Sequence, residues 1–201
     1  FFAGFSGGRK SILPGVSSKV TVLGNHCSKF IDSPYSRTGI LEGNPIHKDM
    51  IAASKMAHQK YIVNVIIDAD KKVVHAVAGD AIEAHAAGCK FLQDYCQVVP
   101  KKAADIAIST NGGYPLDQNM YQSVKGMTAA EAAAKDDGIL IMVSNCGDGH
   151  GGEGFYEALK NCSSPADLMA EILKVPQDQT KPDQWEYQIQ CRILMQHKVI
   201  Y

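Results

Sequence analysis

The strongest constraint on the fold lies in the second half of the chain. Two apolar runs, residues 104–109 (ADIAIS) and 138–144 (GILIMVS), are strand-sized, and each ends in a polar, glycine-rich loop that opens a helical segment. Strands alternating with helices form a parallel sheet, because a crossover helix is needed to bring the chain back to the same edge. Such sheets bind ligands at the loops beyond the carboxyl ends of their strands. The helical segments are read at residues 116–124 and 128–135, separated by Gly126, and at 155–160, 165–173 and 184–195.

The first half follows a different plan. Residues 61–67 (YIVNVII) read as a buried strand and 73–78 (VVHAVA) as a second; the turn at 68–72 makes the pair a β-hairpin. A helix is expected at 81–95, another at 47–57 after Asn44-Pro45, and a third from the caps Ser17 and Ser18 to about Cys27. Residues 31–46 read as a long loop. Pro100-Lys101-Lys102 is the linker, dividing the chain into residues 1–100 and 101–201. The fold class is therefore α/β, with the second part carrying the parallel sheet flanked by helices.

Composition removes whole classes of function. Lys plus Arg is 20 against 21 Asp plus Glu, a net charge of −1, so the basic excess of a nucleic-acid binder is missing. No apolar run approaches the ~20 residues that cross a bilayer. The six cysteines include no CxxC pair. A chain this long needs no disulfide scaffold, so they are read as reduced thiols of a cytoplasmic protein. The chain opens on Phe1 without a signal peptide and stops inside an apolar run. Both ends are expected to be cuts in a longer polypeptide.

Three segments carry chemistry. Gly4 to Ser11 (GFSGGRKS) approaches a phosphate-binding P-loop, but Arg9 stands where the motif needs glycine, and Pro14-Gly15 would break the helix that must follow. A nucleotide triphosphatase is rejected. Gly7 and Gly8 still permit positive φ and close backbone approach, and Arg9 and Lys10 bring two cations to the same turn. The segment suits a phosphate or carboxylate, a lysine used covalently, or simply a solvated basic turn. His26 is a single imidazole, too few for a closed metal site, although it can add one ligand to a metal already held by a cofactor. After the first parallel strand comes Asn111 to Asn119 (NGGYPLDQN), then Gln122 and Lys125, which share a helix face and form either a carboxylate clamp or a solvated surface. The loop Cys146 to Gly154 matches no zinc spacing and reads as a tight turn into a helix. Trp185 is either a pocket wall or core packing.

In order, these segments resemble the nickel-pincer lactate racemase family. The resemblance rests on Phe2 to Gly15 (FAGFSGGRKSILPG), Asn25-His26, Asn111 to Gly126 (NGGYPLDQNMYQSVKG) and the Asp148-Gly149 loop. It implies a nickel(II) pincer complex of a pyridinium-3,5-bisthiocarboxylic acid mononucleotide, attached covalently to Lys10 in the Gly7-Gly8-Arg9-Lys10 block, with His26 completing the nickel coordination. Sulfur and imidazole donors suit square-planar nickel(II). It further implies that Tyr121, Gln122, Lys125 and Trp185 contact the substrate, a short 2-hydroxy acid whose hydride is taken up and returned to either face. The family's two acid/base histidines lie upstream of its SGGRK block. They are expected before Phe1, and no histidine of this chain matches them. By this resemblance residues 1–100 are the second part of an N-terminal cofactor-binding domain, and 101–201 are most of a C-terminal α/β domain. The fragment alone is expected to be inactive, and the remainder of the polypeptide is its partner. Two other readings of the residues are a phosphate- or carboxylate-binding module without catalysis and a Lys10 Schiff-base lyase.

Overall fold

The computed structural model describes residues 5–201; Phe1 to Gly4, which open the glycine-rich motif, lie outside the described residues. The chain divides into two compact units. The first holds the chain up to Asn25 and Asp32–Val99, and the second holds His26–Ile31 and Pro100–Tyr201.

In the first unit, a short turn of helix at Gly8–Ser11 precedes α1 (Lys19–Asn25). The chain then passes through a short helix α2 (Ser28–Asp32), all but the last residue of which belongs to the second unit, and an irregular stretch leads to α3 (Pro45–Met56). Asn44 starts α3: its side-chain oxygen accepts from the backbone N–H groups of Ile46 and His47 at 3.0 and 3.3 Å, and Pro45 needs no such partner. β1 (Ile62–Ile67) and β2 (Val73–Gly79) form the expected antiparallel hairpin, with Ile62 opposite Gly79. Its turn is fixed by Asp68, whose Oδ1 accepts from the backbone of Asp70 and Lys72. α4 (Glu83–Cys96) starts the same way on Asp80 and packs on the hairpin around Ile62, Val77, Ala81 and Ala84.

β1 differs from the fully buried strand expected from YIVNVII. Burial alternates along it, and Val63, Val65 and Ile67 are exposed at 66, 54 and 52%. Strand side chains alternate between faces, so one helix layer covers only one set.

The second unit holds the parallel sheet. β3 (Ala104–Thr110), β4 (Ala134–Val143) and β5 (Lys198–Ile200) lie in the order β3-β4-β5, with Ile106 opposite Ile139 and Leu140 opposite Val199. α5 (Met120–Glu131) crosses over from β3 to β4. α6 (Glu153–Lys160), α7 (Pro165–Ile172) and α8 (Gln184–Gln196) follow. The core is built from Val124, Met127 and Ala130 of α5, Leu140 and Met142 of β4, and Ile189 and Ile193 of α8. Arg192 of α8 holds Glu131 of α5 through two hydrogen bonds, at 3.0 and 2.6 Å.

Gly126 does not separate two helices, as its position had suggested. It lies inside α5, because a Cβ there would sit 2.6 Å from Met142 Cε and 2.8 Å from the Thr110 carbonyl oxygen. The glycine brings the helix close against the sheet, and that packing outweighs its poor helix propensity. Residues 116–119 form the turn before the helix, and Ala134 and Lys135 already belong to β4.

Candidate functional site

In the first unit the lysine-bearing turn is set by its glycines. Gly7 and Gly8 have φ of +75° and +48°. A Cβ on Gly7 would meet the Asn64 side chain, and one on Gly8 would meet the His85 ring at 2.7 Å. The space the glycines leave is therefore filled by β1 and α4. Asn64 Oδ1 accepts from the Gly8 N–H at 3.0 Å and pins the turn to the hairpin. Arg9 points inward and is 1% exposed. Its Nε donates to His47 Nδ1 at 2.8 Å, and its Nη1 donates to His85 Nε2 at 2.9 Å. Burial, reinforced by the guanidinium, pushes both imidazoles down to about 4, so both are neutral acceptors. Arg9, Gly7 and Gly8 thus shape the turn from within. Lys10 follows on a backbone anchored by its own N–H to the Gly7 carbonyl, at 3.0 Å, and its side chain is half-buried.

The second unit gathers the other expected residues. His26 packs there with α2 because Ser28 is bonded on both sides: Gln188 Nε2 of α8 donates to its carbonyl at 2.9 Å, and its hydroxyl donates to the Val175 carbonyl at 3.3 Å. The His26 ring is buried edge-to-face against Trp185, with centroids 4.9 Å apart. Trp185 is the second residue of α8, and it lies near enough to Tyr121, the second residue of α5, to draw the phenol's pKa down against the larger effect of burial. One turn further along α5, Lys125 Nζ donates to Gln122 Oε1 at 2.5 Å. His26, Tyr121, Gln122, Lys125 and Trp185 thus form one linked set drawn from three segments.

The glycine-rich loop after β4 frames the start of α5. Asn119 caps the helix by accepting from the Gln122 N–H at 3.0 Å, and its Nδ2 donates to Asp148 at 3.2 Å. The carbonyls of Gly149 and His150 accept from the N–H groups of Met120 and Tyr121. A Cβ on Gly151 would lie 2.8 Å from the Asn119 side chain and 2.9 Å from Tyr121 Cβ. The loop is a close wrapping for Tyr121, which also packs edge-on against Phe155.

Two acidic residues of this region have no counterpart in the sequence reading. Asp183, with φ of +64°, starts α8, and Glu186 lies in its first turn. Burial pushes the Glu186 carboxyl up to about 7; the Lys125 ammonium opposes that shift and Asp183 adds to it. Burial, with both carboxylates, drives the Tyr121 phenol well above its ordinary range, so it remains protonated. The residues flanking them in sequence carry no motif; α8 buries Gln184, Glu186, Gln188 and Gln190 among its apolar side chains, which only the structure reveals.

The donor chemistry can be tested against a nickel cofactor. Among the described residues no group of three His, Cys, Asp or Glu side chains is placed to hold a metal ion. A metal at His26 would have that one imidazole from these residues and take its remaining donors from elsewhere. No helix among the described residues is long and apolar enough to cross a membrane.

Comparison with known proteins gives matches along the whole chain. The family model described as the lactate racemase C-terminal domain matches residues 99–201, and the one described as the lactate racemase N-terminal domain matches residues 1–39. A protein named lactate racemase from Thermoanaerobacterium thermosaccharolyticum is 59% identical over 200 residues, covering 100% of this chain and 47% of that protein. Another of that name, from Lactiplantibacillus plantarum, is 53% identical over 201 residues, again covering 47% of its length. The solved structure of the lactate racemase apoprotein from T. thermosaccharolyticum superposes with a TM-score of 0.96, covering 99% of this chain and 48% of that one. The chain spans about half the length of the curated relatives it matches.

Proposed function

We infer, since this chain belongs to the lactate racemase family, that the protein containing it is an isomerase that interconverts the enantiomers of a short, lactate-like 2-hydroxy acid. Residues 1–100 then form the second part of a cofactor-binding domain, and 101–201 most of the C-terminal α/β domain. The observation that carries this reading is the meeting of His26, Trp185, Tyr121, Gln122 and Lys125 in one unit.

The roles follow from the side chains. Lys125 is a cation beside an amide, and the pair suits the carboxylate of the substrate. Held by that group, the 2-hydroxy acid has its C2 hydrogen fixed in direction, which is most of what a hydride transfer asks of the protein. Tyr121 stays protonated and offers its phenol as a donor. Trp185, packed edge-on against His26, would shield the reacting face from water. His26 would supply the one protein ligand to nickel, and Lys10 would carry the covalent attachment. When bound, the nickel-pincer nucleotide supplies the hydride acceptor. Gly7, Gly8 and Arg9 shape the turn that presents Lys10. The thiols, all six free, suit the cytoplasm.

The test is chiral analysis of D- and L-lactate after incubation with the full-length protein isolated from cells that make the cofactor. The wild type should bring either enantiomer to a mixture of both. Lys125→Ala removes a hydrogen bond between charged groups, worth about 1.5–3 kcal/mol, and should lower kcat/KM by about 10- to 100-fold. Wild-type protein that carries nickel yet leaves both enantiomers unchanged would refute the reading.

A further inference from the structure

The parallel sheet of the second unit is covered on one face and open on the other. Successive side chains of a strand point to opposite faces. Ala107 of β3 and Leu140 and Met142 of β4 are buried on the side where α5 and α8 pack. Their neighbours point the other way, and the register lines them up, Ile106 beside Ile139 and Ile108 beside Ile141, which in turn lies beside Ile200. With Val143 they make a contiguous apolar face across all three strands. Ile106, Ile108, Val143 and Ile200 are exposed at 53, 70, 56 and 42%, so the described residues leave this face largely uncovered. Sheets of parallel strands occur almost only with both faces covered.

Chain handedness says where the second layer comes from. The crossovers from β3 to β4 through α5, and from β4 to β5 through α6, α7 and α8, step across the sheet in one direction. Such crossovers are right-handed in about 98% of cases, so steps in one direction lay their helices on one face. A right-handed connection reaches the opposite face only by stepping back the other way, to the outer edge of β3. That edge carries no strand among the described residues. The chain spans about half the length of the relatives it matches, which leaves length for a further helix and strand.

A strand added there reverses the strand order beside β3. At such a reversal the adjoining loops part and open a crevice at the carboxyl ends of the strands. The loop that leaves β3 at this point runs from Asn111 to Asn119 and leads directly into Tyr121 and Gln122 of α5. Its tip is apolar and open, with Tyr114 and Leu116 exposed at 83 and 58%.

We propose that the stretch of the longer polypeptide following Tyr201 lays a helix over the open face of this sheet, adds a parallel strand to the free edge of β3, and forms, with the loop after that strand, the second wall of the crevice beside Tyr121 and Gln122. The packing follows from the sheet alone; only its meaning for a 2-hydroxy acid rests on the racemase reading.

The test is photo-crosslinking in the full-length protein. With benzoylphenylalanine in place of Ile108, the crosslinked peptide should come from the same chain, beyond Tyr201. A crosslink to any other part of the chain, a crosslinked dimer, or no crosslink overturns the proposal. The same probe in place of Tyr114 should capture a second peptide beyond Tyr201, and failure to do so removes that wall from the crevice. Should the bulky ring spoil the fold at Ile108, hydrogen exchange in the wild-type full-length protein reads the same point without a substitution. Paired on both sides, β3 should hold residues 104–110 to within about threefold of the protection of residues 139–143, whereas an edge strand leaves alternate amides exchanging on the order of a hundredfold faster. Fast alternate exchange overturns the strand addition. The expected crosslink in a protein that leaves D- and L-lactate unchanged would sustain the packing and refute the function; a racemising protein whose Ile108 probe is captured elsewhere would do the reverse.

Discussion

Lowering the pH from 7 to 5 should loosen the lysine-bearing turn of the first unit. The perturbation acts on His85, which burial and the Arg9 guanidinium hold down to about 4, against an ordinary value of 6.5. The folded state keeps this imidazole neutral, while the unfolded chain takes up a proton as soon as the pH falls below 6.5. Between those values the unfolded state binds more protons, so stability is complete above 6.5 and is lost as the pH falls towards 4. For His85 alone the loss is about 2 kcal/mol at pH 5 and approaches about 3 kcal/mol near pH 4. His47 works in the same direction, but both rings answer to the same guanidinium, so their effects do not add in full. The assay is hydrogen exchange over residues 5–11, where the Gly8 and Lys10 amides are bonded to Asn64 and Gly7. After correction for the intrinsic rate, protection should fall about thirtyfold between pH 7 and pH 5. Arg9→Met removes the charge but not the burial, so it should reduce the pH dependence without abolishing it. Protection that is unchanged at pH 5 would refute the picture of Arg9 held between two neutral imidazoles.

The remaining predictions concern the second unit. Gly126→Ala gains about 1 kcal/mol of helix propensity but drives a methyl group against the Thr110 carbonyl, which cannot move as the Met142 side chain can. The net should be a loss of about 1–2 kcal/mol, seen as a lower Tm by Trp185 fluorescence. Glu131→Gln removes the charge paired with Arg192 across α5 and α8 and should cost about 2 kcal/mol in denaturant unfolding. Burial raises the Glu186 carboxyl from 4.5 to about 7, so it favours folding while protonated, and that contribution fades as the pH rises from 4.5 through 7. Glu186→Gln should flatten the fall in stability over that window, as measured by denaturant midpoints at pH 5 and pH 7.5. His26→Ala should leave the fold intact and reduce nickel content per chain, measured by elemental analysis.

Much of the second unit was legible because its signals are local. The apolar runs gave β3 and β4, and the glycine-rich loops after them did mark the ends at which Tyr121 and Gln122 are presented. The features that escaped depend on what lies opposite in space. Gly126 looks like a break until Met142 and Thr110 are seen beside it. YIVNVII reads as fully buried until a single covering helix leaves Val63, Val65 and Ile67 exposed. Arg9 reads as a ligand-facing cation, yet His47 and His85, distant in sequence, accept its hydrogen bonds and turn it inward. Glu186 carries no motif at all; its character comes from burial next to Lys125 and Tyr121.

The covalent attachment proposed for Lys10 is the sharpest point of the account, because it assigns one bond to one nitrogen. Intact-protein mass spectrometry of the full-length protein, isolated from cells that make the cofactor, reads it directly. The wild type should carry the mass of the nickel-pincer nucleotide, and Lys10→Ala should carry none. An adduct that persists in Lys10→Ala, or a racemising wild type whose mass is that of the bare polypeptide, would contradict it.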